Sequence, residues 1–409
     1  EGMNKPKIRF KGFEGEWKKV KIGDVAPLTG GFAFQSGQFK TSGVPIIRIS
    51  NILSSGIVGG DFVYYNEFKG DSEFRLYKGD VVIAMSGATT GKVATFEAND
   101  FGYQNQRVGK FSRTNLVNYE LLSKLVSAPN FQKKIISKLT SSAQPNASSK
   151  DIDSIDLVVP EETEEQRALA SYFTSLDAQI AASTSRLSSL KQIKAASLLN
   201  MFPQKGETVP RVRFKGFQGE WKEVKLSSIA IFSKGQGYSK SDLRENGHPI
   251  ILYGRMYTKY QFAINEVDTF SNLKGAYVLS EGNEIIMPAS GETSEDIACA
   301  SAVLAKGIIL GGDLNIVRFD LKKYSTPFLA LTITYSKTHY DLSKCAQGKS
   351  VVHLHNEAIS KTVVSIPSLP EQRAIASYFT ALDAQITLQR ERLEKLKQIK
   401  AACLEKMFA

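Results

Sequence analysis

Ile8–Ile22 reads IRFKGFEGEWKKVKI, and Val212–Leu226 reads VRFKGFQGEWKEVKL. The phrase occurs twice, 204 residues apart. A second pair obeys the same plan. Glu165–Phe202 (EQRALASYFTSLDAQI…RLSSLKQIKAASLLNMF) returns as Glu371–Phe408 (EQRAIASYFTALDAQI…RLEKLKQIKAACLEKMF) at an offset of 206, with about two-thirds of the positions identical. The stretches between these blocks have diverged almost beyond alignment. Two copies of so large a unit do not make a solenoid. They make a constant frame displayed twice, carrying two different variable regions, which suits a protein that recognises two things at a fixed separation.

Each block ends in an alternating run, as in Trp17-Lys18-Lys19-Val20-Lys21-Ile22, which predicts a half-buried strand. Gly12, Gly15, Gly216 and Gly219 mark turns before it. Trp17 and Trp221, the only tryptophans, hold equivalent places and read as packing residues. The second block predicts long helices. Leu176, Ile180, Leu187 and Leu190 share one face, as do Leu382, Ile386, Leu393 and Leu396. Forty-two residues, 161–202, would span about 60 Å. A lone helix of that length cannot bury its stripe, and the other copy carries the matching one. Thr163-Glu-Glu-Gln and Ser368-Leu-Pro-Glu read as helix starts.

The first variable region predicts strands over 44–49, 80–84, 92–96 and 106–111, then a helix over 119–139. The second repeats that order, with strands over 249–253, 283–287, 308–310 and 315–319 and a helix over 326–336. The boundaries expected are 1–160 for the first domain, 161–203 for a long helix, 204–211 for a linker, 212–367 for the second domain and 368–409 for the second long helix.

At 409 residues and 42% hydrophobic, the chain can bury more than one core. It has no apolar run of bilayer length and no signal-peptide pattern. Three cysteines, none in a CxxC pair, build no disulfide framework and point to a reducing cytoplasm. The net charge of +11 is unevenly spread: residues 1–150 carry 21 Lys and Arg against 12 Asp and Glu, while residues 151–210 carry 5 against 9. Excess positive charge in the variable regions suits a polyanion.

Catalytic motifs fail on inspection. Ser86-Gly-Ala-Thr-Thr-Gly91-Lys92 falls one residue short of P-loop glycine spacing and has Val93 where a metal-binding hydroxyl belongs. His248, His339, His353 and His355 include one HxH pair without a third ligand at metal spacing. Glu67-Phe-Lys69 and Glu223-Val-Lys225 imitate the end of a nuclease motif, but Glu223 aligns with Lys19. What recurs is a set of polar groups suited to base edges and phosphates. In the first region these are Arg48, Ser50 and Asn51, then Ser86, Thr89, Thr90 and Lys92, then Asn105, Gln106 and Arg107. In the second they are Tyr253, Arg255, Tyr257 and Lys259, then Ser290, Glu292 and Thr293, then Gln347 and Lys349.

With these residues laid out, the chain resembles the specificity subunits of type I restriction-modification systems. The resemblance covers essentially the whole length. It rests on the RFKGF…GEW entry, the GDVVIAMSGATTGK turn followed by NQRVGK, the helix starts at Pro160-Glu-Glu-Thr-Glu-Glu-Gln-Arg-Ala and Pro370-Glu-Gln-Arg-Ala, and the doubling. The second region departs from the first: Ser290-Gly-Glu-Thr-Ser replaces the glycine turn and Gly312-Asp-Leu-Asn-Ile replaces NQRVG. That fits domains reading different sequences. The resemblance implies an α+β fold of two glycine-rich target recognition domains separated by two long antiparallel, coiled-coil-like helices. Each domain would read one half of a bipartite double-stranded DNA site. Two methyltransferase subunits, using S-adenosylmethionine, would dock on the frame, and two motor-nuclease subunits using ATP and Mg would join them. This chain would hold no cofactor and perform no chemistry. Gln166, Arg167, Tyr172 and Phe173, with Gln372, Arg373, Tyr378 and Phe379, are the expected partner surface. A stand-alone DNA-binding regulator and a non-catalytic interaction scaffold are the competing readings.

Overall fold

The computed structural model describes residues 5–139, 147–348 and 351–408. The chain divides into two compact units, Glu1–Thr184 with Glu391–Ala409, and Ser185–Arg390. Each unit holds one variable domain, the entry block and helix start of one repeat, and the helix end of the other repeat.

The first variable domain is two four-stranded sheets. One runs Leu28–Thr29, Val108–Phe111, Val81–Ala84, Val93–Thr95 in spatial order, all antiparallel. The other runs Val63–Tyr65, Val44–Ile47, Gly102–Gln104, Arg75–Leu76, with a parallel pair at its centre. Val81–Ala84 is buried along its whole length, which is why it reads as an uninterrupted apolar run rather than an alternation. The helical pattern over 119–139 is two helices, Tyr119–Ser127 and Pro129–Leu139. Pro129 disfavours helical backbone at Ala128, so the chain breaks there. Asn118 caps the first of them, accepting from Leu121 N at 3.0 Å.

The second variable domain repeats this topology despite its drifted sequence. Ala230–Lys234, Leu314–Phe319, Glu284–Pro288 and Ser301–Val303 stand in the same order as the first sheet, extended by Ala263–Ile264. The other sheet runs Leu243–Arg244, Phe270–Ser271, His248–Ile251, Lys306–Leu310, Leu279–Glu281, again with one parallel pair, Ile250 and Ile251 beside Ile309 and Leu310. Helices Thr326–Tyr335 and Lys337–Cys345 follow.

The frame is built on the same plan in both units. The entry strand Lys18–Lys21 pairs antiparallel with Asp156–Val159, and Lys222–Lys225 pairs with Val363–Ile366. Just before each strand a buried tryptophan packs into the core. Arg9 forks onto Glu165, donating from Nε and Nη2 at 2.7 Å each, and donates from Nη1 to Gly15 O at 2.6 Å. Arg213 does the same to Glu371, at 2.6 and 2.7 Å, and to Gly219 O. Two parallel N–H···O bonds to a desolvated carboxylate fix the block on the helix start. The loop glycines have φ of 82° and 100° in the first copy and 79° and 99° in the second, so side chains there would be strained.

Thr163–Asn200 and Leu369–Met407 are the long helices. Within each unit their segments run antiparallel. In the first, Tyr172 Oη lies 3.4 Å from Cys403 Sγ and Asp177 pairs with Lys400 at 2.6 Å. In the second, Tyr378 Oη lies 2.8 Å from Ser197 Oγ and Asp383 pairs with Lys194 at 2.5 Å. Each pair is the other with the repeats exchanged. The exchange extends to the helix tips. Phe408 packs against Phe173 at 5.2 Å and Trp17 at 6.2 Å between ring centroids. Phe202 packs against Phe379 at 5.9 Å and Trp221 at 6.3 Å. Backbone bonds agree: Ile8 N donates to Lys406 O, and Val212 N to Asn200 O. The segment 204–211 is therefore an ordered part of the second unit, with Trp221 N donating to Thr208 O at 3.1 Å.

Candidate nucleic-acid interface and partner surface

In the first domain the three polar segments named from sequence converge on one end of the sheets. Asn105 N donates to Ile47 O at 3.1 Å, just before Arg48, and Met85 N donates to Arg107 O at 3.0 Å, just before Ser86. Thr89 Oγ1 donates to Ile49 O at 3.2 Å, and Lys92 Nζ to Ser54 Oγ at 3.1 Å. Thr90 Oγ1 turns back to Gly87 O at 2.6 Å. Ser50, Gln106 and Arg107 are exposed, while Arg48, Thr89, Thr90, Lys92 and Asn105 are half-buried. Asn51 is buried: its carboxamide accepts from Arg48 N and donates to Gly59 O and Asp61 O, each at 3.0 Å, so it shapes the loop. Ser86 is buried with its hydroxyl unpartnered among the described residues.

Beside this end lies an aromatic cluster of Phe32, Phe34, Phe68 and Tyr103. The Tyr103 hydroxyl donates to Asp71, which also accepts from Arg75. The Arg75 guanidinium, and after it Tyr103, hold the Asp71 carboxyl below its ordinary range. The cluster is a packed, charge-balanced support.

The second domain gathers its segments in the same way. Tyr257 Oη donates to Ser290 O at 2.7 Å, and Ser290 Oγ lies 3.1 Å from His353 Nδ1. Ser290–Gly291 pairs with Val352–His353, whose backbone also bonds Gln347. Tyr253, Tyr257, Lys259, Glu292, Thr293 and Gln347 are exposed. Lys349, with Ser350, lies outside the described residues. Arg255 is buried and occupied: its guanidinium bonds Asp268 and, at 3.0 Å, Gln261. Lys259 joins it on Asp268, and the two cations hold that carboxyl far below its usual range. Thr293 caps a short helix, accepting from Asp296 N at 3.1 Å. Asp313 is also exposed at this end. It belongs to none of the polar groups named from sequence, and its one signal is the alignment of the apolar runs on either side of it.

The expected partner residues divide by burial. Gln166 is buried, donating to Pro160 O and accepting from Asn118 N, both at 2.8 Å. Gln372 does likewise with Pro367 O at 3.0 Å and Ser325 N at 2.9 Å. Phe173 and Phe379 are fully buried in the two cores. Tyr172 and Tyr378 are half-buried helix-pair contacts. Arg167 and Arg373 remain exposed at equivalent places. Arg167, which among the described residues pairs with Glu164 alone, borders an open groove with Asn118, Glu120, Ser171 and Thr174.

Among the described residues no group of three His, Cys, Asp or Glu could hold a metal. Burial pushes the Cys299 thiol up to about 12, which leaves it protonated and unreactive. No described helix is long and apolar enough to cross a membrane.

Comparison with known proteins gives one consistent answer. The type I restriction modification DNA specificity domain family matches twice, over residues 14–192 and 218–398. The EcoBI specificity subunit of Escherichia coli is 27% identical over 179 residues, 43% of this chain and 36% of that protein. The MjaVIII specificity subunit of Methanocaldococcus jannaschii is 25% identical over 173 residues, 40% of each. The chain thus matches less than half the length of these curated relatives. In fold, it resembles the type I restriction-modification S subunit of M. genitalium, with a TM-score of 0.63 at 15% identity over 99% of both chains. A chain from a structure of complex assembly in the type I R-M system gives 0.50 at 16% identity, over 96% of this chain and 97% of that one. With the family's domain matched in both repeats across most of its length, this chain belongs to the type I restriction-modification DNA specificity family.

Proposed function

We propose that this chain is the DNA specificity subunit of a type I restriction-modification complex acting in the cytoplasm. The observation that carries the reading is one scaffold built twice with different residues at the same end. A shared topology with divergent tips is what two readers of unlike sequences need. The target recognition domains span 1–160 and 212–367, and the long helices at 161–203 and 368–409 set the distance between half-sites, as a ruler does. The doubled frame presents equivalent surfaces, Arg167 in one copy and Arg373 in the other, to two identical methyltransferase subunits.

The side-chain geometry narrows the base-facing set. Asn51 and Arg255 hold their own loops. Arg48, Gln106 and Arg107 in one domain, and Tyr253, Glu292 and Gln347 in the other, have side chains left to reach DNA, while Lys92 and Tyr257 would first release Ser54 and the Ser290 carbonyl. The chain itself performs no chemistry: S-adenosylmethionine belongs to the methyltransferase, which must flip its target adenine, and ATP with Mg belongs to the motor-nuclease subunits.

The test is co-expression with the cognate methyltransferase subunit, followed by genome-wide mapping of methyladenine. A bipartite motif with an unread gap, absent without this chain, is the expected result. A stable complex that adds no methylation would favour the scaffold reading.

A further inference from the structure

Two short connections, one in each domain, occupy the same place in the fold. Between Gly102–Gln104 and Val108–Phe111 the chain reads Asn105-Gln106-Arg107; between Lys306–Leu310 and Leu314–Phe319 it reads Gly311-Gly312-Asp313. Three backbone bonds fix each in equivalent register. Asn105 N donates to Ile47 O at 3.1 Å, and Gly311 N to Ile251 O at 2.9 Å. Gln106 N donates to Phe32 O at 2.9 Å, and Gly312 N to Gly237 O at 2.6 Å. Arg107 O accepts from Met85 N at 3.0 Å, and Asp313 O from Ala289 N at 2.7 Å. Arg107 and Asp313 therefore stand at the same station with opposite charge. Both are exposed, and among the described residues neither side chain has a hydrogen-bond or ion-pair partner. The neighbouring station changes in the same sense: Arg48, next after Ile47, corresponds to Leu252, next after Ile251.

Position and charge set what each side chain can do on DNA. Arginine at a groove edge donates as a fork to guanine O6 and N7. A carboxylate is repelled by phosphates and earns a place against DNA only by accepting from an exocyclic amine, cytosine N4 or adenine N6. Asp313 has φ of 58°, a left-handed conformation that aspartate tolerates better than most residues. Glycine would serve that turn without adding a carboxylate.

We propose that Arg107 and Asp313 are specificity determinants of opposite polarity, Arg107 reading a guanine in one half-site and Asp313 an exocyclic base amine in the other. The inference rests on the DNA-reading role above. The test uses the full chain with its methyltransferase subunit and maps methyladenine for wild type, Arg107→Ala, Asp313→Gly and Asp313→Asn. Glycine keeps the left-handed backbone, so Asp313→Gly removes the acceptor without straining the turn.

Arg107→Ala should relax one guanine position, with discrimination there falling roughly 5- to 150-fold, and leave the other half-site intact. Asp313→Gly should relax one cytosine or adenine position in the other half-site, and Asp313→Asn should move that position towards adenine. A wild-type motif copied unchanged by both Arg107→Ala and Asp313→Gly would overturn the proposal. Equal weakening of both half-sites by either variant would overturn it too, since that is the mark of a phosphate contact or a folding defect. A wild-type complex that writes no bipartite motif would instead refute the DNA-reading role, and this inference with it.

Discussion

Phe408→Ala should destabilise the first unit and spare the second. Phe408 is 6% exposed and sits between Phe173 and Trp17, so truncation removes most of a buried ring and two aromatic contacts. Replacing a buried phenylalanine by alanine costs about 3–5 kcal/mol, and the low half of that range applies at a helix tip that can partly collapse. The bond from Asn130 Nδ2 to the Phe408 carbonyl, at 3.0 Å, survives the change and keeps the backbone in place. For a unit of about 200 residues, 3–4 kcal/mol corresponds to a fall in Tm of about 10 °C. Hydrogen exchange is the assay, because it reads the units separately. Protection should fall in Lys18–Lys21 and Asp156–Val159 and hold in Lys222–Lys225 and Val363–Ile366. Phe202→Ala should give the converse. Loss of protection in the second unit from Phe408→Ala would refute the reciprocal packing.

Arg167→Glu combined with Arg373→Glu should abolish co-purification with the methyltransferase subunit at unchanged Tm; undiminished capture would remove both residues from the partner surface. Burial alone would raise the Asp177 carboxyl, but Lys124 and Lys400 outweigh it and hold it below its ordinary value. Its contribution is therefore complete above the unfolded value near 4 and is lost as pH falls through the lower folded value. Asp177→Asn should remove that acid-dependent component from the urea midpoint of the first unit, and an unchanged pH profile would show that the pair contributes nothing. Gly31→Ala would set a methyl 2.3 Å from Gln104 O, so thermal denaturation should show a loss of about 1–3 kcal/mol in the first domain.

The long helices and most central strands are legible because their signal is local. The apolar stripe from Leu176 to Leu190 and the run Val81–Ala84 need no distant information. The break at Pro129 has a local signal too, but the apolar spacing on both sides concealed it, and one helix was expected where two stand. The tip segments of each domain lie together because strand register brings them there, which residue type does not announce. The fate of individual polar residues was not readable. Gln166 and Gln372 stand beside exposed arginines at a helix start and look like surface, yet each fastens a strand exit to a helix cap. Their identity in both copies follows equally from a shared core and a shared interface, so repetition cannot separate the two. Asn51 and Arg255 were hidden for a related reason: burial of a polar group depends on partners such as Asp61 and Asp268, many residues away.

The crossing of helix tips also sets a timetable. The core of the first unit closes on Phe408, which leaves the ribosome long after Trp17 and Phe173. Some 200 residues separate Thr184 from Glu391, and at about 5–20 residues per second they take roughly 10–40 s to synthesise. Throughout that interval the first apolar seat stands open, while the second receives Phe202 from the chain just ahead of it. The half made first is thus the half completed last.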